Sequence, residues 1–221
     1  MKAIILAGGR GKRLRPITDY VPKPLIPLNN IPIIEWQIKY LKKYGIKEVI
    51  ICTGYKAEMI KNYLEMKKNL GIKIKFSVEK TPLGTGGAIK QAGMSIKDKS
   101  FFVINGDIIT DINLKQLAKK QNSIASIELK TKFGIMETKN DNVTKFKEKK
   151  EITDLWMNAG IYYLQKEVLH DLPKIGDIEK TVFPDYAKKG KLNTVKFKNV
   201  SWHSIDSFKD MEECSSELNK K

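Results

Sequence analysis

Lys2-Ala3-Ile4-Ile5-Leu6-Ala7-Gly8-Gly9-Arg10-Gly11-Lys12-Arg13-Leu14-Arg15-Pro16 passes from a short apolar run directly into a glycine-rich loop. The apolar run reads as a buried strand, and a loop at its carboxyl end lies where ligands bind in open α/β sheets. All three arginines of the 221-residue chain, Arg10, Arg13 and Arg15, fall in this stretch, and lysine carries the basic charge elsewhere. A lysine is a hydrated point charge, whereas guanidinium is a planar fork of five donors that meets phosphate oxygens in pairs. Confining the forks to one loop predicts oriented contacts with a polyphosphate.

Outward from the loop, short apolar runs alternate with segments of helical period. Ile34 to Tyr44 sets Ile34, Ile38 and Leu41 on one helical face, and Glu48 to Cys52 is a second continuous apolar run. Ala57 to Lys67 reads as a helix, Ile72 to Val78 as a strand, Gly86 to Ala92 as a helix start, and Phe101 to Ile104 as a buried strand. Such alternation predicts a largely parallel twisted sheet covered on both faces. From about Ser123 the spacing tightens into strands at Ala125 to Leu129, Gly134 to Thr138 and Val143 to Phe146, with Asn140-Asp141-Asn142 as a turn. Asn158 to Leu164 returns to strand, Ile178 to Lys189 reads as mostly helical despite Pro184, and Phe208 to Leu218 as a closing helix.

Composition narrows the class. With 41% apolar residues the chain can bury a substantial core, and no linker or repeat divides it, so a single domain is predicted. Met1 to Ala7 is too short for a signal segment, and no run approaches the roughly 18 apolar residues of a membrane span. A cytoplasmic protein without membrane association is expected. Cys52 and Cys214 lack the paired spacing of a metal or redox motif. The formal net charge of +16 admits a nucleic-acid binder or a field that attracts anionic substrates. Because the lysines are scattered and not interleaved with stacking aromatics, the reading is no nucleic acid and a mostly solvated surface.

The glycine loop departs from two familiar phosphate loops. Gly9-x-Gly11-x-x-Leu14 lacks the third glycine of the dinucleotide fingerprint, and the strand ending Cys52-Thr53-Gly54 supplies no acidic ribose ligand. The Walker pattern fails at Leu6, where its first glycine belongs, and at Arg13, which follows Lys12 in place of Ser or Thr.

Leu6-Ala7-Gly8-Gly9-x-Gly11-x-Arg13-Leu14-x-Pro16-x-Thr18, followed by Pro22-Lys23-Pro24, instead resembles the signature of the sugar-1-phosphate nucleotidyltransferases. The likeness covers nearly the whole chain. It implies an α/β fold, Rossmann-like and three-layered α/β/α, with a mixed, mostly parallel central sheet and a small β-rich sugar-binding subdomain. One nucleotidyltransferase domain would span 1–221, residues 1–122 or so binding the nucleotide and about 123–221 the sugar. The substrates it implies are a nucleoside triphosphate and a sugar 1-phosphate, the cofactor is magnesium (Mg2+), and a homodimer is an assembly it allows.

Carried onto this sequence, the family pattern assigns Leu6, Ala7, Gly8, Gly9, Gly11, Lys12 and Arg13 to the triphosphate, with Arg13 and Lys23 as the catalytic cations. Leu83-Gly84-Thr85-Gly86-Gly87-Ala88 matches the base-reading loop, making Gly84, Thr85 and Gly86 the base contacts, and its form is similar to guanylyltransferases for mannose 1-phosphate and heptose 1-phosphate. Asn105-Gly106-Asp107 ends a strand-like run, and Asp107 matches the position of one metal ligand. Many relatives read Trp-x-Asp-x-Gly-Thr near the end. Here Trp202-His203-Ser204-Ile205-Asp206-Ser207 has serine at that aspartate, so the second metal role passes to Asp206, as in glucose-1-phosphate cytidylyltransferases; a helix-capping role for Asp206 stands beside it. Phe133-Gly134, Glu148-Lys149 and Asn158-Ala159-Gly160 resemble the sugar pocket, giving Gly134, Glu148, Lys149, Asn158 and Gly160 as sugar-phosphate contacts, with Lys150 in place of the usual proline. A surface charge run is the alternative at Glu148-Lys149. The function expected is guanylyl transfer to a sugar 1-phosphate. Its alternatives are cytidylyl or uridylyl transfer and a non-catalytic nucleotide sensor.

Overall fold

A computed structural model describes residues 1–67, 70–130, 134–147 and 151–220. Its central sheet has seven strands: β1 (Lys2–Ala7), β2 (Glu48–Thr53), β3 (Lys73–Val78), β4 (Ser100–Asn105), β5 (Ser123–Lys130), β6 (Glu151–Gln165) and β7 (Asn193–Phe197). Their spatial order is β7-β5-β6-β4-β1-β2-β3. β1 pairs in parallel with both β2 and β4, β2 with β3, and β7 with β5, while β6 runs antiparallel between β4 and β5. The sheet is therefore mixed and mostly parallel.

Side-chain alternation along β1 makes the two faces. Ala3 and Ile5 join one apolar cluster, under α1 (Ile33–Lys43) and α2 (Ala57–Met66), and Ile4 joins another, under α3 (Gly84–Gly93) and α4 (Val182–Lys188). The 3.6-residue period puts Ile34, Ile38 and Leu41 of α1 and Ile60 and Leu64 of α2 against the first face, all at most 4% exposed. The result is the three-layer arrangement. A third cluster gathers Leu14, Ile26, Leu28, Ile33, Ile109, Ile205 and Cys214, seating the amino-terminal loop against α5 (Phe208–Leu218).

Several elements differ from the sequence reading for identifiable reasons. The helix read over 178–189 begins only at Val182, with Pro184 in its first turn, where its missing N–H is no loss. Strands β5, β6 and β7 extend the same sheet that begins in the amino-terminal part. What projects from it is the hairpin Ile135–Lys139/Asn142–Lys147, turned by Asn140 and Asp141 at φ 46° and 64°. Both central residues with positive φ match the turn geometry that follows the right-handed twist of paired strands. Unread from the sequence was a short antiparallel ladder between Ile108–Thr110 and Trp202–Ser204.

Candidate active site

The carboxyl ends of β1, β3 and β4 border a cavity of about 490 Å³, within the range of nucleotide and cofactor pockets. Leu6, Ala7, Gly8, Gly9, Gly11, Lys12, Arg13, Lys23, Gly84, Thr85, Asp107 and Asp206 all line it. Its lining is chemically mixed: Leu6, Ala7, Pro82 and Ala88 are apolar, the carboxylates of Glu79 and Asp177 stand beside Gly8 and Gly84, and Lys12, Arg13, Lys23, Asp107 and Asp206 bring further charge together.

The charged part is assembled by packing and register. Leu14 and Ile205, 1% and 0% exposed, share the third apolar cluster and thereby anchor their neighbours Arg13 and Asp206. In the short ladder Ser204 lies opposite Ile108, and the Ile205 N–H donates to the Asp107 carbonyl at 3.0 Å. This brings Asp206 to Asp107 across 99 residues of chain. The Lys23 ammonium bridges both, 2.7 Å from Asp107 Oδ2 and 2.8 Å from Asp206 Oδ1, and Arg13 Nη2 lies 2.7 Å from Asp206 Oδ1. Burial raises the Asp206 carboxyl pKa, but hydrogen bonds from Lys23 and Ser204 and the charges of Lys23 and Arg13 outweigh it and hold the group below its ordinary value.

Ser204 keeps a role at the site. Its hydroxyl donates to Asp206 Oδ2 at 3.0 Å, so the serine orients the carboxylate that stands two residues on. Asp206 is not the cap of α5. Ser207 accepts from the Asp210 N–H in that position, while the Asp210 carboxylate accepts from the Asp206 N–H and the Ser207 hydroxyl. The strand-end turn that presents Asp107 is pinned from outside by Gln37 on α1, which is 1% exposed and whose Nε2 donates to the carbonyls of Asn105 and Ile108 at 2.8 and 3.0 Å.

Of the three loop arginines, only Arg13 lines the cavity. Arg15 pairs with Asp19 at 3.0 Å and Arg10 lies over the Tyr55 ring. The second glycine segment also does something the sequence did not reveal. The Gly86 and Gly87 N–H groups both donate to the Gly176 carbonyl, and Gly86 does not line the cavity. A Cβ on Gly84, at φ +72°, would lie 2.7 Å from the Gly176 carbonyl. These glycines admit the Gly176–Glu179 segment, so much of the loop's backbone donor capacity is already used. Thr85 extends the clasp: its hydroxyl donates to Glu179, which also accepts from the Tyr162 hydroxyl at 2.9 Å.

Of the residues expected to meet the sugar phosphate, Asn158 accepts from the Gly160 N–H at 2.8 Å and donates to the Tyr162 hydroxyl at 3.0 Å. Gly160 packs against Asn105, the neighbour of the Asp107 turn. Neither residue lines the cavity, nor does Gly134, which precedes the hairpin; Glu148 and Lys149 lie outside the described residues. A second cavity of about 530 Å³, walled by Trp202, Met157 and Glu128, adjoins the first at Arg13 and Asp206. His203, in its wall, is tied to Glu217 at 2.7 Å. Sequence reasoning missed Glu79, Asn105 and Asp177, which also line the first cavity. Glu79 had a readable signal, because it directly follows the strand read over 72–78, at the carboxyl end where open α/β sheets bind ligands.

Among the described residues no three His, Cys, Asp or Glu side chains gather as a metal cage, and no helix is long and apolar enough to cross a membrane.

Known proteins place this architecture. The chain is 44% identical over 176 residues, 77% of its length and 79% of the relative's, to D-glycero-alpha-D-manno-heptose 1-phosphate guanylyltransferase of Campylobacter jejuni. It is 36% identical to mannose-1-phosphate guanyltransferase beta-A of Xenopus laevis, over 95% of this chain and 62% of that one. Among solved structures, HddC from Yersinia pseudotuberculosis complexed with GMP-PN superposes with a TM-score of 0.77 at 27% identity, covering 98% of this chain and 99% of that one. The model of the nucleotidyl transferase family matches residues 2–221, nearly the full length over which the sheet and the site described above are built, and the chain is a member of that enzyme family.

Proposed function

We propose that the protein transfers the guanylyl group of GTP to the phosphate of a sugar 1-phosphate of the mannose or manno-heptose type, releasing pyrophosphate. The observation that carries this reading is the cavity that gathers the glycine loop, Gly84 and Thr85 with the cations Arg13 and Lys23 and the carboxylates Asp107 and Asp206. Its support from relatives is the naming of heptose 1-phosphate and mannose 1-phosphate guanylyltransferases among similar chains and GMP-PN in a similar structure.

The chemistry asks little of side-chain acids and bases. An oxygen of the sugar phosphate attacks the α-phosphorus, a new P–O bond forms, and the bond to the β-phosphate oxygen breaks. A phosphate monoester with a second pKa near 6 is already largely ionised at neutral pH, so no general base is needed. What the protein contributes is position and positive charge. Lys23 and Arg13 stand beside the carboxylate pair, where triphosphate and sugar phosphate would bring their negative charge together. Asp107 and Asp206 would hold magnesium, a hard cation that suits one or two carboxylates plus substrate phosphate oxygens. Bound there, it would neutralise phosphate charge.

The test is pyrophosphate release with magnesium, crossing GTP, CTP, UTP, dTTP and ATP against mannose 1-phosphate, glucose 1-phosphate and a manno-heptose 1-phosphate. Turnover with GTP and a manno-configured acceptor is expected. Productive turnover with CTP or UTP and none with GTP would overturn the guanylyl assignment, and nucleotide binding without pyrophosphate release would replace it with a sensor.

A further inference from the structure

One buried hydroxyl stands where three parts of the site meet. Tyr162, on β6, is 0% exposed, and its ring packs edge-on against Phe183 of α4 with the centroids 5.0 Å apart. The hydroxyl donates to Glu179 Oε1 at 2.9 Å and accepts from Asn158 Nδ2 at 3.0 Å. The other Glu179 oxygen accepts from the Thr85 hydroxyl, which itself accepts from the Ile178 N–H at 3.0 Å. Thr85 is in the wall of the first cavity, near the start of α3. Asn158 fixes the Gly160 N–H, and Gly160 packs against Asn105, the last residue of β4, whose side chain also hydrogen-bonds Tyr162. The hydroxyl therefore joins the nucleotide loop, the strand that carries Asn158 and Gly160, and the turn that carries Asp107.

We infer that Tyr162 and Glu179 are positioning residues: their hydrogen-bonded chain sets the strand at Asn158 and Gly160 against the nucleotide loop at Thr85, and so aligns the sugar phosphate with the α-phosphorus. This deepens the guanylyl-transfer reading and rests on it. Tyr162 has no surface with which to touch either substrate, so it acts through its partners. Packing alone would be served by phenylalanine, which has the same ring. A hydroxyl buried this deeply is tolerated only where it is hydrogen-bonded, and this one uses both its donor and its acceptor capacity. Strand pairing does not carry the alignment by itself. The register of β6 against β5 slips between Asn158 and Tyr162, where Gly160 has φ +70°, and the Asn158–Tyr162 bond spans that slip. A displacement of about 1 Å between reacting groups costs on the order of a hundredfold in rate, which is what a tie between the two substrate sides prevents.

Tyr162→Phe removes the hydroxyl and keeps the ring. Calorimetric binding of GTP and, separately, of mannose 1-phosphate, beside steady-state kinetics with the pair and melting curves, reads the consequence. GTP should bind within about twofold of the wild-type affinity, while mannose 1-phosphate binds at least fivefold more weakly and kcat falls at least tenfold. Glu179→Gln keeps an amide oxygen that accepts from Tyr162 and should retain most of the acceptor affinity, whereas Glu179→Ala should lose it as Tyr162→Phe does. Should Tyr162→Phe not fold, the contrast between the two Glu179 variants decides. A hydroxyl with a purely structural role would weaken both ligands in step with the melting temperature, or neither; either result overturns the inference, as does a Glu179→Gln no better than Glu179→Ala. A wild type that binds both ligands but releases no pyrophosphate overturns the transferase reading instead, and the two dissociation constants still decide the tie.

Discussion

Lys23 balances two carboxylates with one ammonium, and that arrangement separates its role from Arg13's. The Arg13 side chain is 75% exposed, and Lys23 is 12% exposed. An ion pair as exposed as Arg13 with Asp206 contributes little to stability. Arg13→Ala is therefore expected to melt near the wild-type temperature while kcat/KM falls at least tenfold, about 1.4 kcal/mol of lost transition-state stabilisation. Lys23→Ala should lose at least as much activity, and a carboxylate pair left with Arg13 alone on Asp206 should make it more dependent on magnesium for thermal stability. Steady-state kinetics beside melting curves with and without magnesium check both, and near-normal activity in a folded variant would remove that residue from the mechanism. Asp107→Asn should shift the magnesium titration of the rate to higher concentration, an effect read separately from kcat at saturation; an unchanged titration would contradict the ligand role.

The turn at Asn105–Ile108 depends on an element that never touches the cavity. Gln37 of α1 spans two carbonyls of that turn, and Gln37→Ala would leave both buried acceptors unpaired, at a cost of about 1–3 kcal/mol. Stability and kcat are expected to fall together, because the same hydrogen bonds hold Asp107; a variant less stable by that amount but fully active would show the turn to be held otherwise. A second tie between elements reports on pH. Glu35 of α1 accepts from the Tyr63 hydroxyl of α2 at 2.7 Å, with Lys39 and Lys67 nearby. Burial alone would raise its pKa, but these partners hold it below the ordinary value. A depressed folded-state pKa contributes stability that is present above the unfolded value of about 4.3 and is lost as pH falls through the folded one. Glu35→Gln should accordingly flatten the loss of stability in urea melts below about pH 4.3, whereas an unaltered acid slope would assign that loss to other carboxylates. Neither tie was visible in the sequence. Helical period showed which face of α1 is apolar, but Gln37 and Glu35 act through partners chosen by tertiary packing.

At the scale of the whole molecule, local signals were readable and distant partnerships were not. The alternation that starts at β1 defined the three layers, and the glycine loop with Pro22-Lys23-Pro24 marked the charged part of the cavity. Ser204 and Asp206 could not be told apart by spacing alone, since their roles follow from the register of Trp202–Ser204 against Ile108–Thr110. The glycines at 84, 86 and 87 were legible as a loop, but their partner Gly176 lies about ninety residues away. Charge is the property that composition does decide globally. A net +16 carried mostly by scattered lysines makes a field rather than a patch, and both proposed substrates are polyanions, so their attraction belongs to the molecule as a whole. That field is screened over about 10 Å at 0.1 M salt and about 3 Å at 1 M. Raising sodium chloride from about 0.05 to 0.5 M, a range that shortens the screening length severalfold, should lower kcat/KM for the triphosphate steadily while kcat changes much less. Arg13→Ala should keep most of this salt slope despite its lower rate, because one guanidinium supplies only a small part of the field. A flat kcat/KM would show that the lysines serve solubility alone, and a slope abolished by Arg13→Ala would place the attraction in the site.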